Sequence, residues 1–259
     1  MTGAFAGNSA SCWQTAESFP PLAEGEIHVW RVSLQPPAGW LAYYRTVLDS
    51  EEQARAARFY FERDRRRFLT AHGAMRMILA EYVKRPARQL AFEYNRQGKP
   101  ALAPGCNPAG MRFNLSHSGE LALLAVTRAA EVGVDLEHIR PEVAVAEIAQ
   151  RFFSPQEVAR FLSVPESERQ LTFFNCWTRK EAFIKANGLG LSLPLDQFSV
   201  SCAPDEPPQL LHFSPAPQEV WQWSLHALSP GEGYVGALAV KHPRARLACW
   251  QWHESPDQL

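Results

Sequence analysis

No lysine or arginine occurs within residues 1–30 of this 259-residue chain, so the basic start of a secretory signal and the arginines of a transit peptide are both missing. No apolar run approaches the roughly 20 residues that a membrane-spanning helix needs. The five cysteines, Cys12, Cys106, Cys176, Cys202 and Cys249, include no C-x-x-C pair. Odd in number and far apart, they suit reduced thiols better than a disulfide framework or a structural zinc site. Eight histidines show neither H-x-x-x-H nor H-E-x-x-H spacing, which removes the common zinc-hydrolase routes. There is no P-loop, no G-x-G-x-x-G and no G-x-S-x-G elbow, so nucleotide binding by those loops and serine-hydrolase chemistry are set aside. Charge of one sign is also lacking, with 26 basic against 27 acidic residues and a net charge of -1. Bulk electrostatic capture of nucleic acid or of an anionic membrane is therefore not the main task, and any anion site must be local. These absences leave a cytoplasmic enzyme or binding protein with no nucleic-acid and no membrane partner.

What is present is the composition of an ordinary globular protein, 46% apolar and 20% charged. The length exceeds that of a usual single domain, so two domains, or one domain of two similar halves, are expected. Residues 1–25 are rich in Ala, Ser, Gly and Pro and read as a loose lead-in. "EIHVWRVSL" alternates as a strand does, and "LDSEEQARAARFYFERDRRRFLTAHGAMRMILAEYV" reads as two helices, with Asp49 and Glu52 spaced as a capping box. "LAFEYNRQGKPAL" gives strand, turn and short strand, and "MRFNLSHSGELALLAVT" and "EVGVDLEHI" give strands around polar turns. The run "LALLAV" is long enough for a buried strand.

The order then recurs. Ser154, Pro155 and Glu157 mark another helix start, "FFNCWTRKEAFIKANG" a longer helix stopped at Gly188, and four strand-like stretches follow. Laying "FLTAHGAMRMIL" under "FFNCWTRKEAFI" places Arg76 opposite Glu181. The expectation is an α+β (α/β) fold of two halves, 26–130 and 131–259, each a small antiparallel sheet packed with helices.

Four stretches could carry chemistry, and each has a plainer reading beside it. In "WTRKEAFIK", Trp177, Glu181 and Lys185 share one helix face with Lys180 next to them. The pattern serves either a solvated ion pair behind a core tryptophan or two cations aimed at an anion near the glycine-bearing exit. In "GVDLE", Asp135 and Glu137 share one strand face, as on an exposed edge or around a hard cation such as magnesium. In "FNLSHSG", Ser116, His117 and Ser118 form a polar turn, with or without a bound phosphate. In "ERDRRRFL", Arg63, Arg65, Arg66 and Arg67 spread around a helix, a solvated face from which one or two could reach a phosphate.

The order "QGKP", "FNLSHS", "GVDLE" and "WTRKEAFIK" resembles the 4′-phosphopantetheinyl transferases, specifically the longer surfactin-synthetase-activating type, from about residue 48 to residue 200. The resemblance implies two pseudo-twofold-related halves with the active site in the cleft between them and coenzyme A as co-substrate. It implies transfer of the phosphopantetheine arm to a serine of an apo acyl, peptidyl or aryl carrier protein, by a monomer. It implies magnesium, or manganese in its place, on Asp135, Glu137 and Glu181, with Glu181 and Lys185 catalytic. Lys180 and Lys185 would lie by the pyrophosphate. Arg67, Lys99, Pro100, Ser116 and His117 would hold the phosphates or the adenine end, and Glu157 matches a further functional acid of some members. Glu52, Arg55 and Arg58 depart from the lysines that the family often uses for the 3′-phosphate.

Such a reaction needs neutralisation of phosphoryl charge more than covalent help, which a dication and lysines provide. The base for the serine proton is either Glu181 or a metal-bound water. Two rivals stand beside the transferase. A non-catalytic coenzyme A or carrier-protein binding module would be marked by loss of Asp135, Glu137, Glu181 or Lys185, and all four are present. A nucleic-acid binder would need a basic domain, which the balanced charge denies.

Overall fold

The computed structural model describes residues 13–254 and shows a mixed α+β chain that divides into two compact units. The first takes in Gln14–Ala130 with the segment from Arg246 onward, and the second takes in Glu131–Ala245. No helix among the described residues is long and apolar enough to cross a membrane.

In the first unit a five-stranded sheet runs in the order β1 (Gln14–Thr15), β12 (Arg246–Gln251), β2 (Glu26–Ser33), β6 (Leu121–Arg128) and β5 (Met111–Ser118). The hairpin β5–β6 and the pair β2–β6 are antiparallel, whereas β12 runs parallel to both β1 and β2, so this sheet is mixed. Flanked on both sides, β6 is buried from Ala122 to Thr127, which is why its sequence is a continuous apolar run and not an alternation. The helices are α1 (Trp40–Val47), α2 (Ser50–Ala57) and α3 (Glu62–Val83), and a short hairpin joins β3 (Phe92–Tyr94) to β4 (Pro100–Leu102). Trp30, Phe113, Leu124 and Val126 of the sheet form one core with Trp40, Tyr44, Met75 and Ile78 of the helices.

The second unit contains β7 (Val132–His138), α4 (Val145–Phe152), α5 (Pro155–Ser163), α6 (Glu166–Asn187), β8 (Phe198–Val200), β9 (Leu210–Phe213), β10 (Ser224–Leu228) and β11 (Tyr234–Val240). An antiparallel sheet runs β10-β11-β7, and β8 pairs with β9. Phe161, Phe173, Cys176, Phe183, Phe198 and Trp223 build its core. Gly188, at φ 76°, ends α6 in the left-handed conformation that glycine adopts without steric cost.

Two boundaries differ from expectation. Part of the supposed loose lead-in is built into the fold: β1 pairs with β12, Phe19 stacks on Trp30 at 5.1 Å, and Leu22 is buried. Residues 1–12 of that segment lie outside the described residues. The strand "LACWQWH", assigned to the C-terminal half, belongs to the first unit, because β12 completes the sheet between β1 and β2. The helix α1 and the strand β9 carried too short a pattern to be read in advance.

Both expected capping boxes form. Asp49 accepts from the Glu52 amide at 2.9 Å, and Ser154 accepts from the Glu157 amide at 3.3 Å, with the glutamates bonding back. Arg76, fully buried in α3, bonds Glu52 at 2.6 Å, Asp49 at 2.5 Å and the carbonyls of Ala87 and Leu90. Burial pushes the Glu52 carboxyl up, but His72 and Arg76 outweigh it and hold the pKa below 4.5. A carboxylate whose folded pKa is depressed adds stability above its unfolded value and loses it as pH falls through the folded one. Arg76→Met, which strands a buried carboxylate, should therefore cost about 3–5 kcal/mol at neutral pH. Thermal melts should show that penalty shrinking as pH is lowered from 4.5; a penalty that stays constant into acid contradicts the assignment.

Candidate active site

Along β7 the side chains alternate. Val132, Val134 and Leu136 are buried on one face, and Gly133, Asp135 and Glu137 lie on the other. That second face is the one α6 covers. A Cβ at Gly133 would come within 2.2 Å of the Ala182 carbonyl oxygen and 2.3 Å of the Ala186 amide nitrogen, so the strand backbone and the helix backbone are in direct contact there. An isolated glycine inside a strand marks such a close approach, and this was the signal in "GVDLE" that went unread.

The contact brings the chemistry of the two elements together. Lys185 of α6 places its Nζ 2.6 Å from Asp135 Oδ1, and Asp135 is only 4% exposed. Glu181, one turn earlier on the same face, has its carboxyl raised above the ordinary value by burial first and by the negative charge of Asp135 next. Lys185 opposes that rise and Glu137 adds to it. Three carboxylates thus share one region of the second unit with the Lys185 ammonium, the electrostatic setting in which one acid is pushed toward its neutral form.

Among the described residues, no three His, Cys, Asp or Glu side chains stand as a ready-made metal-holding group. The donor chemistry nevertheless suits a hard dication: three carboxylates offer the oxygen ligands that magnesium takes. Burial is the first cause of the rise at Glu181, and the repulsion from Asp135 and Glu137 that adds to it is what such an ion would relieve.

Lys180 is not in this group. Successive helical residues are about 100° apart, and Lys180 turns away from β7 into the core. It is fully buried there, and its Nζ donates to Glu157 Oε1 at 2.8 Å, Glu157 Oε2 at 2.7 Å and the Phe198 carbonyl at 2.7 Å. The expectation that Lys180 stands beside a pyrophosphate is therefore corrected: all three donor positions of the ammonium are taken inside the protein. Glu157 is likewise used internally, accepting also from the amides of Ser154 and Val200. Trp177 packs in parallel on Phe173 at 5.9 Å, a part of the core.

In the first unit the remaining expected residues fall into two places. Lys99 and Pro100 end the β3–β4 turn, where Asn95 Oδ1 accepts from the amides of Gln97 at 3.0 Å and Lys99 at 2.8 Å and Gly98 takes φ 81°. Pro100 opens β4 opposite Tyr94. Ser116, His117 and Ser118 do not form a turn. They are the last three residues of β5, paired with Leu123, Ala122 and Leu121, and the turn is only Gly119–Glu120, with Gly119 at φ 57°. Strand geometry puts buried Ser116 and exposed His117 on opposite faces. Arg67 of α3 reaches this hairpin by an ion pair with Glu120 and lies 3.6 Å from Asp64. Glu120 was not foreseen; its place in a two-residue loop against an arginine-rich helix was the available signal. Arg55 lies over the Phe68 ring at 5.4 Å.

Gly133→Ala should force β7 and α6 apart and cost about 1–3 kcal/mol or more, since overpacking of a fitted contact destabilises. Gly105→Ala, where a Cβ meets nothing within 4 Å, should stay within about 0.5 kcal/mol of the parent. Thermal melting of the pair checks this, and equal effects at the two positions would contradict the close contact.

Comparison with known proteins matches residues 131–239 to the 4′-phosphopantetheinyl transferase superfamily and residues 32–129 to the N-terminal region of 4′-phosphopantetheinyl transferases. The chain is 40% identical over 219 residues to the 4′-phosphopantetheinyl transferase HetI of Nostoc sp., covering 85% of this chain and 89% of that protein. It is 33% identical over 200 residues to the 4′-phosphopantetheinyl transferase Sfp of Bacillus subtilis, covering 77% and 85%. It is 31% identical over 181 residues to the L-aminoadipate-semialdehyde dehydrogenase-phosphopantetheinyl transferase of Rattus norvegicus, covering 66% and 58%.

Proposed function

The chain belongs to the 4′-phosphopantetheinyl transferase superfamily, and from that membership we propose that it moves the phosphopantetheine arm of coenzyme A to a serine of an apo acyl, peptidyl or aryl carrier protein. In the reaction a bond forms between the serine oxygen and the phosphorus that bears the pantetheine. The bond from that phosphorus to the bridging pyrophosphate oxygen breaks, and adenosine 3′,5′-bisphosphate leaves. The observation that carries the reading is the assembly of Asp135, Glu137, Glu181 and Lys185 where α6 lies on β7.

The anionic phosphates repel an incoming oxygen, so positive charge at the reacting centre is the first requirement. Lys185 supplies an ammonium on a helix anchored against the strand, and reorienting it from Asp135 to a phosphoryl oxygen exchanges one anionic partner for another. The base for the serine proton is Glu181 or a water that the metal would hold; burial and Asp135 raise the Glu181 carboxyl in the metal-free site, and a bound dication would oppose that rise. Asp135, Glu137 and Glu181 are the residues that would hold magnesium, or manganese in its place. Bound there, the ion would act as a Lewis acid that neutralises charge on the transferred phosphoryl group.

We assign the phosphates and adenine end of coenzyme A to Arg67, Lys99, Pro100, Ser116 and His117, the assignment implied by the motifs that carry them. Lys180 is left out of it because its ammonium is used up in the core. Buried cysteines outside any disulfide, Cys106, Cys176 and Cys202, support a cytoplasmic setting. The presence in one chain of both regions matched to the family supports a monomer.

Intact mass of a purified apo carrier protein, after incubation with this protein, coenzyme A and magnesium, tests the reading. A gain of one phosphopantetheine unit is expected, and it should be lost with Glu181→Ala and when the metal is chelated. No gain with several unrelated carriers, alongside measurable coenzyme A binding, would overturn transfer in favour of a binding module.

A further inference from the structure

We infer that Lys180 and Glu157 form a positioning pair that fixes the rotation of α6 and thereby aims Glu181 and Lys185 at β7. The ion pair is sealed: Lys180 is 0% exposed and Glu157 1%, and between them they make bonds to α5, α6 and β8. Lys180 immediately precedes Glu181. About 100° of helical rotation separates the two, so a pin at one sets the direction of the other. At the outer radius of a helix, about 5–6 Å, a rotation of about 20° would move a side chain by about 2 Å. A displacement of about 1 Å at reacting groups can cost about 100-fold in rate.

The first unit shows that the device is architectural. There the capping-box glutamate Glu52 is gripped by Arg76, buried in the long helix that follows, across 24 residues; in the second unit Glu157 is gripped by Lys180 across 23. In both, the cation also bonds backbone carbonyls beyond the helix. A cation with the same anchoring in a unit that lacks the carboxylate set serves the helix and not a phosphate. In the second unit the anchored helix is the one that carries the site.

The kinetic test rests on the transferase reading. Lys180→Met leaves the Glu157 carboxylate without its cation, whereas adding Glu157→Gln removes both charges and keeps a residue that can complete the capping box. The single variant should lower kcat by about 100-fold with the KM for coenzyme A within about twofold. The double variant should return kcat to within about threefold of the parent, because replacing both partners of a buried pair is far less costly than removing one. A double variant as slow as the single one, with KM for coenzyme A raised in both, would show direct phosphate contact and overturn the inference. A single variant that melts earlier but keeps full kcat per folded molecule would overturn it as well. If Lys180→Met does not fold, the kcat of the double variant decides. If the parent protein itself transfers nothing, the functional reading has failed, and crystal structures of the two variants decide the positioning claim. Loss of the 2.6 Å Lys185–Asp135 contact in the single variant and its return in the double one supports it, and an unchanged contact in both sinks it.

Discussion

The missing side chain at Gly133 determines how closely α6 can lie on β7, and the catalytic assignment depends on that distance. With backbone touching backbone at Ala182 and Ala186, Lys185 reaches Asp135 and Glu181 comes under the influence of both strand carboxylates. A methyl group at this position would have to displace main-chain atoms, which have no rotamer to escape into. The apolar residues on the other face of β7 and the flanking strand β11 hold the strand in place, so the helix would have to be what moves.

Given that contact, charge sorts the polar residues of α6 into two classes. Lys180 and Lys185 have the same side chain on the same helix, yet one is enclosed by Glu157 and a carbonyl, and the other is held at its Nζ by Asp135 and remains 29% exposed. A buried cation survives only with full compensation, and Lys180 has it. Glu181 feels two carboxylates, Asp135 and Glu137, against the one Lys185 ammonium, a balance that a bound cation would even out. The first unit uses the same helix-anchoring chemistry with arginine in the role of Lys180.

Much of this was legible in the sequence where a residue has one physical use. Asp49–Glu52 and Ser154–Pro155–Glu157 announced two helix starts, Gly188 announced a stop, and "LALLAV" announced a buried strand. The reading failed where one pattern serves two environments. A lysine on the helix face that meets β7 is indistinguishable in sequence from a lysine anchored in the core, because what separates Lys180 from Lys185 is a glutamate 23 residues away. Ser116–His117–Ser118 looked like a turn because polar residues cluster there, but Gly119 and Glu120 suffice to reverse the chain, leaving the three in the strand. The return of β12 to the first sheet is a long-range pairing with no local signature.

The central claim is that Asp135, Glu137 and Glu181, brought together by the helix–strand contact, form one cation site beside Lys185. The most direct measurement is anomalous diffraction from crystals soaked with manganese and coenzyme A. The account predicts a single strong peak within about 2–2.5 Å of carboxylate oxygens from all three residues, the range for hard dications on oxygen ligands, with Lys185 moved from Asp135 toward phosphate oxygens. A peak elsewhere, or coenzyme A bound with the Lys185–Asp135 pair intact and no metal on the three acids, would contradict it.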